Sequence, residues 1–214
     1  MNRVTLLLSL LLLATAPMRS FADDFRLMAF GDSLVHGFGL PVRDSFPSQL
    51  QAALREHGWK VEVLNAGNSG DTTAAGLARL DWALADHPQA AIVVFGANDG
   101  LRGLDPAETR ANLDAILKRL AEAKVPALLA GMYAPRNLGK TYIEAFDSLY
   151  PALAATHDVV FYPFFLEGVV ARPAFNQADG LHPNAEGVAY IVREMLPKVE
   201  ELLRRAGAPR SGHG

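Results

Sequence analysis

The sequence predicts an α/β protein, a three-layer α/β/α sandwich around a flavodoxin-like five-stranded parallel sheet. Three observations predict it. Short apolar segments alternate with longer amphipathic ones, which is the pattern of βαβ units. The segments that follow the first three candidate strands are polar and glycine-bearing, as expected where a parallel sheet opens onto a ligand site at its carboxyl edge. The chain has 214 residues, half of them hydrophobic, and no cysteine, so its stability must come from a core and not from disulfides.

The first residues read as a targeting segment. Asn2-Arg3 gives a positive start, Val4 to Ala16 is a nearly unbroken apolar run, and Ser20-Phe21-Ala22 places small residues where a signal peptidase cuts. The run of about 13 residues is shorter than the roughly 20 that a membrane-spanning helix needs. A cleavable signal peptide over residues 1–22 is therefore expected, with export to the periplasm or outside the cell and no stable membrane insertion afterwards. A single domain is expected over residues 23–205, with monomer as the default state. Loss of Arg3 and Arg19 takes the 20 basic side chains to 18 against 23 acidic ones, a net charge of −5 with histidine neutral. That balance argues against nucleic acid as a partner, which needs a basic face.

Strands are expected at Arg26 to Gly31, Lys60 to Asn65, Ala91 to Gly96, Ala127 to Gly131 and Val159 to Pro163. The first long helix should run from Ser45 to His57, with Ser45 as its N-cap and Gly58 as its left-handed stop. Helices follow from Thr72 to Asp86, from Pro106 to Lys124 and from Lys140 to Thr156. Asp105-Pro106 is a cap followed by proline in the first turn, where its missing N–H costs nothing. The last helix covers Ala185 to Arg205. Residues 206–214, rich in glycine and charge and containing His213, read as a flexible tail. Gly131 to Lys140, with Pro135, Asn137 and Gly139, reads as a surface loop bordering a site.

Ser33 lies just beyond the first strand at the start of a descent into a helix, so its hydroxyl is held at the sheet edge. It needs a base to become a nucleophile. His36, His57, His87 and His157 have no catalytic context and are expected to be solvated. His182 lies three residues after Asp179 on a glycine-containing turn, so that the carboxylate can reach one ring nitrogen while the other faces Ser33. An Asp-x-x-His pair alone is weak evidence. Its force comes from Gly31-Asp32-Ser33, Asn68-Ser69-Gly70-Asp71 and Gly96-Ala97-Asn98-Asp99-Gly100 in the same chain.

These blocks, with Asp179-Gly180-Leu181-His182-Pro183-Asn184, resemble in order and content those of the SGNH (GDSL) hydrolase family of esterases, lipases, thioesterases and acetylesterases. Within the family they resemble most the periplasmic branch described as acyl-CoA thioesterase I, protease I or lysophospholipase L1, some of whose relatives are arylesterase-like. The resemblance implies the SGNH hydrolase fold and a cofactor-free and metal-free serine hydrolase of acyl esters or thioesters, with Ser33, Asp179 and His182 as triad. It assigns an oxyanion hole to the Ser33 and Gly70 backbone N–H groups and the Asn98 amide. Asp32 is expected to shape the nucleophile's turn, and Asp99 to organise a loop.

Leu34, Leu101, Tyr133 and Phe164 are candidates for an acyl groove, with Leu104, Met132 and Phe165 also considered. Competing readings are a carbohydrate or small-ester acetylesterase and a non-enzymatic ligand-binding protein on the same fold. Gly139-Lys140-Thr141 suggests a phosphate loop, but Ala134 stands where the first glycine is needed and Pro135 removes an N–H. The G-x-S-x-G elbow and the zinc signature H-E-x-x-H are absent.

Overall fold

The computed structural model describes residues 24–210; the expected signal peptide and His213 lie outside the described residues. Five parallel strands form one sheet: β1 Phe25–Gly31, β2 Val61–Gly67, β3 Ala90–Val94, β4 Ala127–Ala130 and β5 Val160–Tyr162. Their spatial order, β2-β1-β3-β4-β5, is the flavodoxin-like one that the alternation predicted. β3, with five buried residues in the run Ala-Ala-Ile-Val-Val, lies between β1 and β4 and is covered on both faces. At the edge, β2 mixes buried and exposed positions, as a strand with one open side must.

Among the described residues seven α-helices connect and cover the sheet: α1 Ser33–His36, α2 Phe46–Glu56, α3 Thr73–Leu84, α4 Ala97–Leu101, α5 Pro106–Glu122, α6 Lys140–His157 and α7 Ala185–Arg205. α2 packs on α7 over one face, while α3, α5 and α6 pack side by side over the other. In α7 the buried residues Val188, Ile191, Val192, Met195, Val199 and Leu202 recur every three or four positions. Each such side chain, fully buried, is worth about 1.5–3 kcal/mol relative to leaving it in water.

Two caps differ in outcome. Asp105 behaves as read, its side chain accepting from the Ala107 N–H at 2.9 Å. Ser45 precedes α2 without capping it, because its hydroxyl donates back to the Val42 carbonyl at 2.7 Å in a short 3-10 turn, Val42–Asp44. The first residues of the expected tail, as far as the structure describes them, make contacts with the sheet edge. Pro209 accepts from the Lys60 N–H at 3.1 Å, Arg210 pairs with Trp59 in an antiparallel bridge, and the Arg210 guanidinium lies 4.8 Å from the Trp59 ring centroid. A composition that looks unstructured is held there by the backbone and the aromatic face of the two residues that lead into β2.

Register positions the site. Gly31 at the end of β1 pairs with Gly67 of β2 and with Val94 of β3, so three strands finish at one level. The segments leaving them carry Ser33, Gly70 and Asn98. The short helices α1 and α4, absent from the sequence reading as separate elements, are the first turns of the chain after β1 and β3.

Candidate active site

Ser33 opens α1, and Asp32 caps it by accepting from the Leu34 N–H at 3.0 Å. His182 Nε2 lies 3.0 Å from Ser33 Oγ, and His182 Nδ1 lies 2.7 Å from Asp179 Oδ2. The other carboxylate oxygen of Asp179 accepts the backbone N–H groups of Leu181 and His182 at 2.9 and 3.0 Å. The His182 backbone N–H, its ring and then the Leu181 N–H together hold the Asp179 carboxyl down to about 2. An ionised carboxylate only accepts, so Nδ1 carries the ring proton and Nε2 offers its lone pair to the Ser33 hydroxyl. The three residues proposed from sequence are thus brought into one hydrogen-bonded line across 149 residues of chain.

Asp32 sits in a contrasting environment. It is fully buried, and burial pushes its carboxyl up to about 7 against the opposing pull of the Leu34 N–H and the Asn98 amide. Asn98 Nδ2 donates to Asp32 Oδ2 at 3.2 Å and to the Asp71 carbonyl at 2.9 Å, which fixes the amide between the first two loops. Gly70 has φ +86, a conformation that side chains disfavour. A Cβ there would meet nothing within 4 Å, so the backbone angle and not crowding calls for glycine. Among the described residues the backbone N–H groups of Ser33 and Gly70 have no acceptor.

Behind these donors lies a partly buried network, centred on the buried Asp71, that the sequence reading missed. Arg79 of α3 donates to Asp71 Oδ2 at 2.6 Å and to the Gly31 carbonyl at 2.9 Å, while its guanidinium lies 4.6 Å from the Phe30 ring centroid. Asn68 donates its side-chain N–H to Asp71 Oδ1 at 2.6 Å and its backbone N–H to Gly31 at 3.0 Å. The loop bearing Gly70 is therefore tied to the end of the strand that leads to Ser33 through one ion pair. Asp99 organises the next loop, as expected, by accepting from the Thr73 backbone N–H at 3.0 Å and from its hydroxyl at 2.5 Å. A charged residue at position 79 amid the buried Gly76, Leu80 and Ala83 of α3 was the available signal, since such a residue must find a partner.

An apolar cavity of about 560 Å³ opens beside Ser33. Leu34, Leu101, Tyr133 and Phe164 all line it, with Met132, and Tyr133 stacks on Phe164 at 4.4 Å between centroids. Phe165 does not. It is 1% exposed and packs edge-on against Phe46 in the core. Leu104 is likewise absent from the wall, which instead recruits Leu166, Val170 and Leu181 from the segment after β5.

Three of the histidines expected to be solvated have partners: His36 Nδ1 meets Ser69 Oγ at 2.8 Å, His57 pairs with Glu200 at 2.8 Å, and His157 pairs with Asp114 at 2.7 Å. Among the described residues no cluster of three or more metal-ligating side chains is present. No described helix is long and apolar enough to cross a membrane.

A serine-bearing turn after β1, glycine and asparagine segments after β2 and β3, and an Asp-x-x-His turn before the last helix define an acylhydrolase architecture. The chain belongs to the GDSL-like lipase/acylhydrolase family, whose profile matches residues 29–190. It is 40% identical to an arylesterase of Vibrio mimicus over 86% of this chain and 92% of that one. It is 38% identical to thioesterase 1/protease 1/lysophospholipase L1 of Escherichia coli K12 over 92% of this chain and 93% of that one. The crystal structure of AlinE4, an SGNH-hydrolase family esterase, superposes with a TM-score of 0.72 at 48% identity, covering 86% of this chain and 99% of that one.

Proposed function

We propose that this protein is a serine hydrolase that cleaves carboxylic acyl esters and thioesters through an acyl-enzyme on Ser33. The observation that carries this reading is the Asp179–His182–Ser33 line, next to two unengaged N–H groups and an apolar cavity. Ser33 Oγ attacks the acyl carbonyl carbon as its proton passes to His182 Nε2, and Asp179 stabilises the imidazolium. The carbonyl oxygen, now an oxyanion, takes hydrogen bonds from the Ser33 and Gly70 N–H groups, and from Asn98 Nδ2 once that amide gives up one of its resting bonds to Asp32 or the Asp71 carbonyl. Collapse expels the alcohol or thiol, which receives the proton from His182. Water then enters by the same route, giving up its proton to His182, and releases the acid and the free serine.

The names of the related arylesterase and thioesterase support ester and thioester substrates. The length of apolar wall, from Leu34 to Leu181, supports acyl chains longer than acetyl over a dedicated acetylesterase. The protein needs neither cofactor nor metal for these steps, acts as a monomer, and is exported by its residues 1–22 to the periplasm or beyond.

Hydrolysis of p-nitrophenyl esters from acetyl to palmitoyl, compared with Ser33→Ala at equal folding, tests the proposal. A fall of roughly 10³ or more in kcat is expected, with an optimum beyond acetyl. Equal activity of the two proteins would remove Ser33 from the chemistry, and an optimum at acetyl would favour the small-ester reading.

A further inference from the structure

The turn after α1 carries an aromatic side chain that neither the core nor the acyl cavity uses. Phe38 is 48% exposed and belongs to neither the buried cluster nor the cavity wall. Its ring centroid nevertheless lies 4.7 Å from that of the His182 imidazole, with the planes 38° apart.

The backbone around it is fixed from both sides. The N–H groups of Gly37 and Phe38 both donate to the Ser33 carbonyl, at 3.1 and 3.2 Å. The Phe38 carbonyl accepts from Gln177 Nε2 at 2.7 Å, and the same nitrogen donates to Pro183 at 3.0 Å. The backbone N–H of Gln177 donates to the His182 carbonyl at 2.8 Å. Gln177 thereby staples the turn holding the aromatic ring to the turn holding the imidazole, while Ser33 anchors the other end.

We infer that Phe38 is a positioning residue for His182, holding the imidazole by one face and stabilising the imidazolium that forms when Ser33 attacks. This rests on the proposed role of His182 as the base. The two hydrogen bonds of His182 hold its nitrogens, and a face contact resists tipping of the ring plane between them. An aromatic face also attracts a cation within about 6 Å of its centroid, and at an exposed site this shifts an equilibrium by a factor of about two to five. Attack by Ser33 places that cation on His182, so the contact strengthens along the reaction coordinate and acts on kcat.

The ionisable groups facing His182 are Asp179 on its own turn and Asp32 at the end of β1, with Arg136 on the cavity wall. None of them changes when residue 38 is replaced. Leucine at 38 keeps apolar cover over the imidazole and removes the aromatic face.

The test is kcat and KM against pH for p-nitrophenyl acetate with wild type, Phe38→Leu, Phe38→Tyr and Ser33→Ala, at matched thermal midpoints. Phe38→Leu should lower kcat about two- to fivefold, leave KM within about twofold, and move the acid limb of kcat/KM to lower pH by a few tenths of a pH unit. Phe38→Tyr should restore all three. Unchanged kcat and pH profile in Phe38→Leu, or a loss confined to KM, would overturn the inference while Ser33-dependent hydrolysis stands. Wild-type activity that Ser33→Ala does not abolish would overturn the hydrolase proposal itself, and this inference with it.

Discussion

Asp32, one residue before Ser33, and Asp179, which reaches Ser33 through His182, are the same residue type in contrasting surroundings. Asp32 is fully buried at the end of β1, and burial lifts its carboxyl to about 7. The Asp179 side chain is 37% exposed on a surface turn, and the N–H groups and ring of His182 bring its carboxyl down to about 2. Environment separates the two roles. The buried carboxyl belongs to the scaffold, capping α1 and holding Asn98; the exposed one is kept charged and aimed at the imidazole. The scaffold side of the site is built into the sheet edge, whereas the base side hangs on a turn stapled from without by Gln177.

The largest effect that sharpens this contrast is expected from Asp179→Asn. An amide at that position donates as well as accepts, favouring the wrong imidazole tautomer, and kcat should fall by roughly 10³ to 10⁴ while the melting temperature barely moves. An Asp179→Asn enzyme within about tenfold of wild type would break the comparison, since the exposed carboxylate would then not orient the base.

Asp32 should speak through stability. Its pKa is raised from 3.8 to about 7 on folding, so between those values the folded chain holds a proton that the unfolded chain has released. The associated stability is fully present below about pH 4 and is lost as pH rises to about 7, by a few kcal/mol at about 1.4 kcal/mol per pH unit. Urea denaturation across that window should show this slope in wild type and a flatter one in Asp32→Asn, which keeps an acceptor for Leu34 but cannot ionise. Parallel slopes would assign the proton to another group.

The smallest effect has the opposite sign. Asp179 is lowered on folding, so its contribution is present above about pH 4 and lost as pH falls through about 2. Solvent screening at this exposed position keeps it under about 1 kcal/mol. Wild type and Asp179→Asn should therefore differ slightly in urea midpoint near pH 5 and converge near pH 2. A larger gap would mean that the turn is less solvated than its exposure indicates.

Much of the architecture was legible because it is local. The apolar run of β3, the Asp105-Pro106 start of α5 and the three- and four-residue spacing of α7 are properties of neighbouring residues, and each element formed within a few positions of its expected range. The meeting of Ser33 with the Asp179–His182 turn was legible for a related reason, since each lies on a short segment whose residue types fit one chemistry. Ser45 and Phe165 were misread because a competing partner, the Val42 carbonyl for one and the Phe46 ring for the other, was not visible in local pattern.

By itself the sequence determined which segments form strands and helices and which polar residues stand at the ends of the first three strands, because periodicity and residue type act over a few positions. Only the tertiary structure decided which partners those side chains meet. Arg79 reaches Gly31 across 48 residues and Gln177 reaches Phe38 across 139. Such pairs are set by strand register and by the path of loops over the sheet edge, so the ionisation of Asp32, the anchoring of residues 206–210 and the aromatic ring on His182 exist only once the layers have closed.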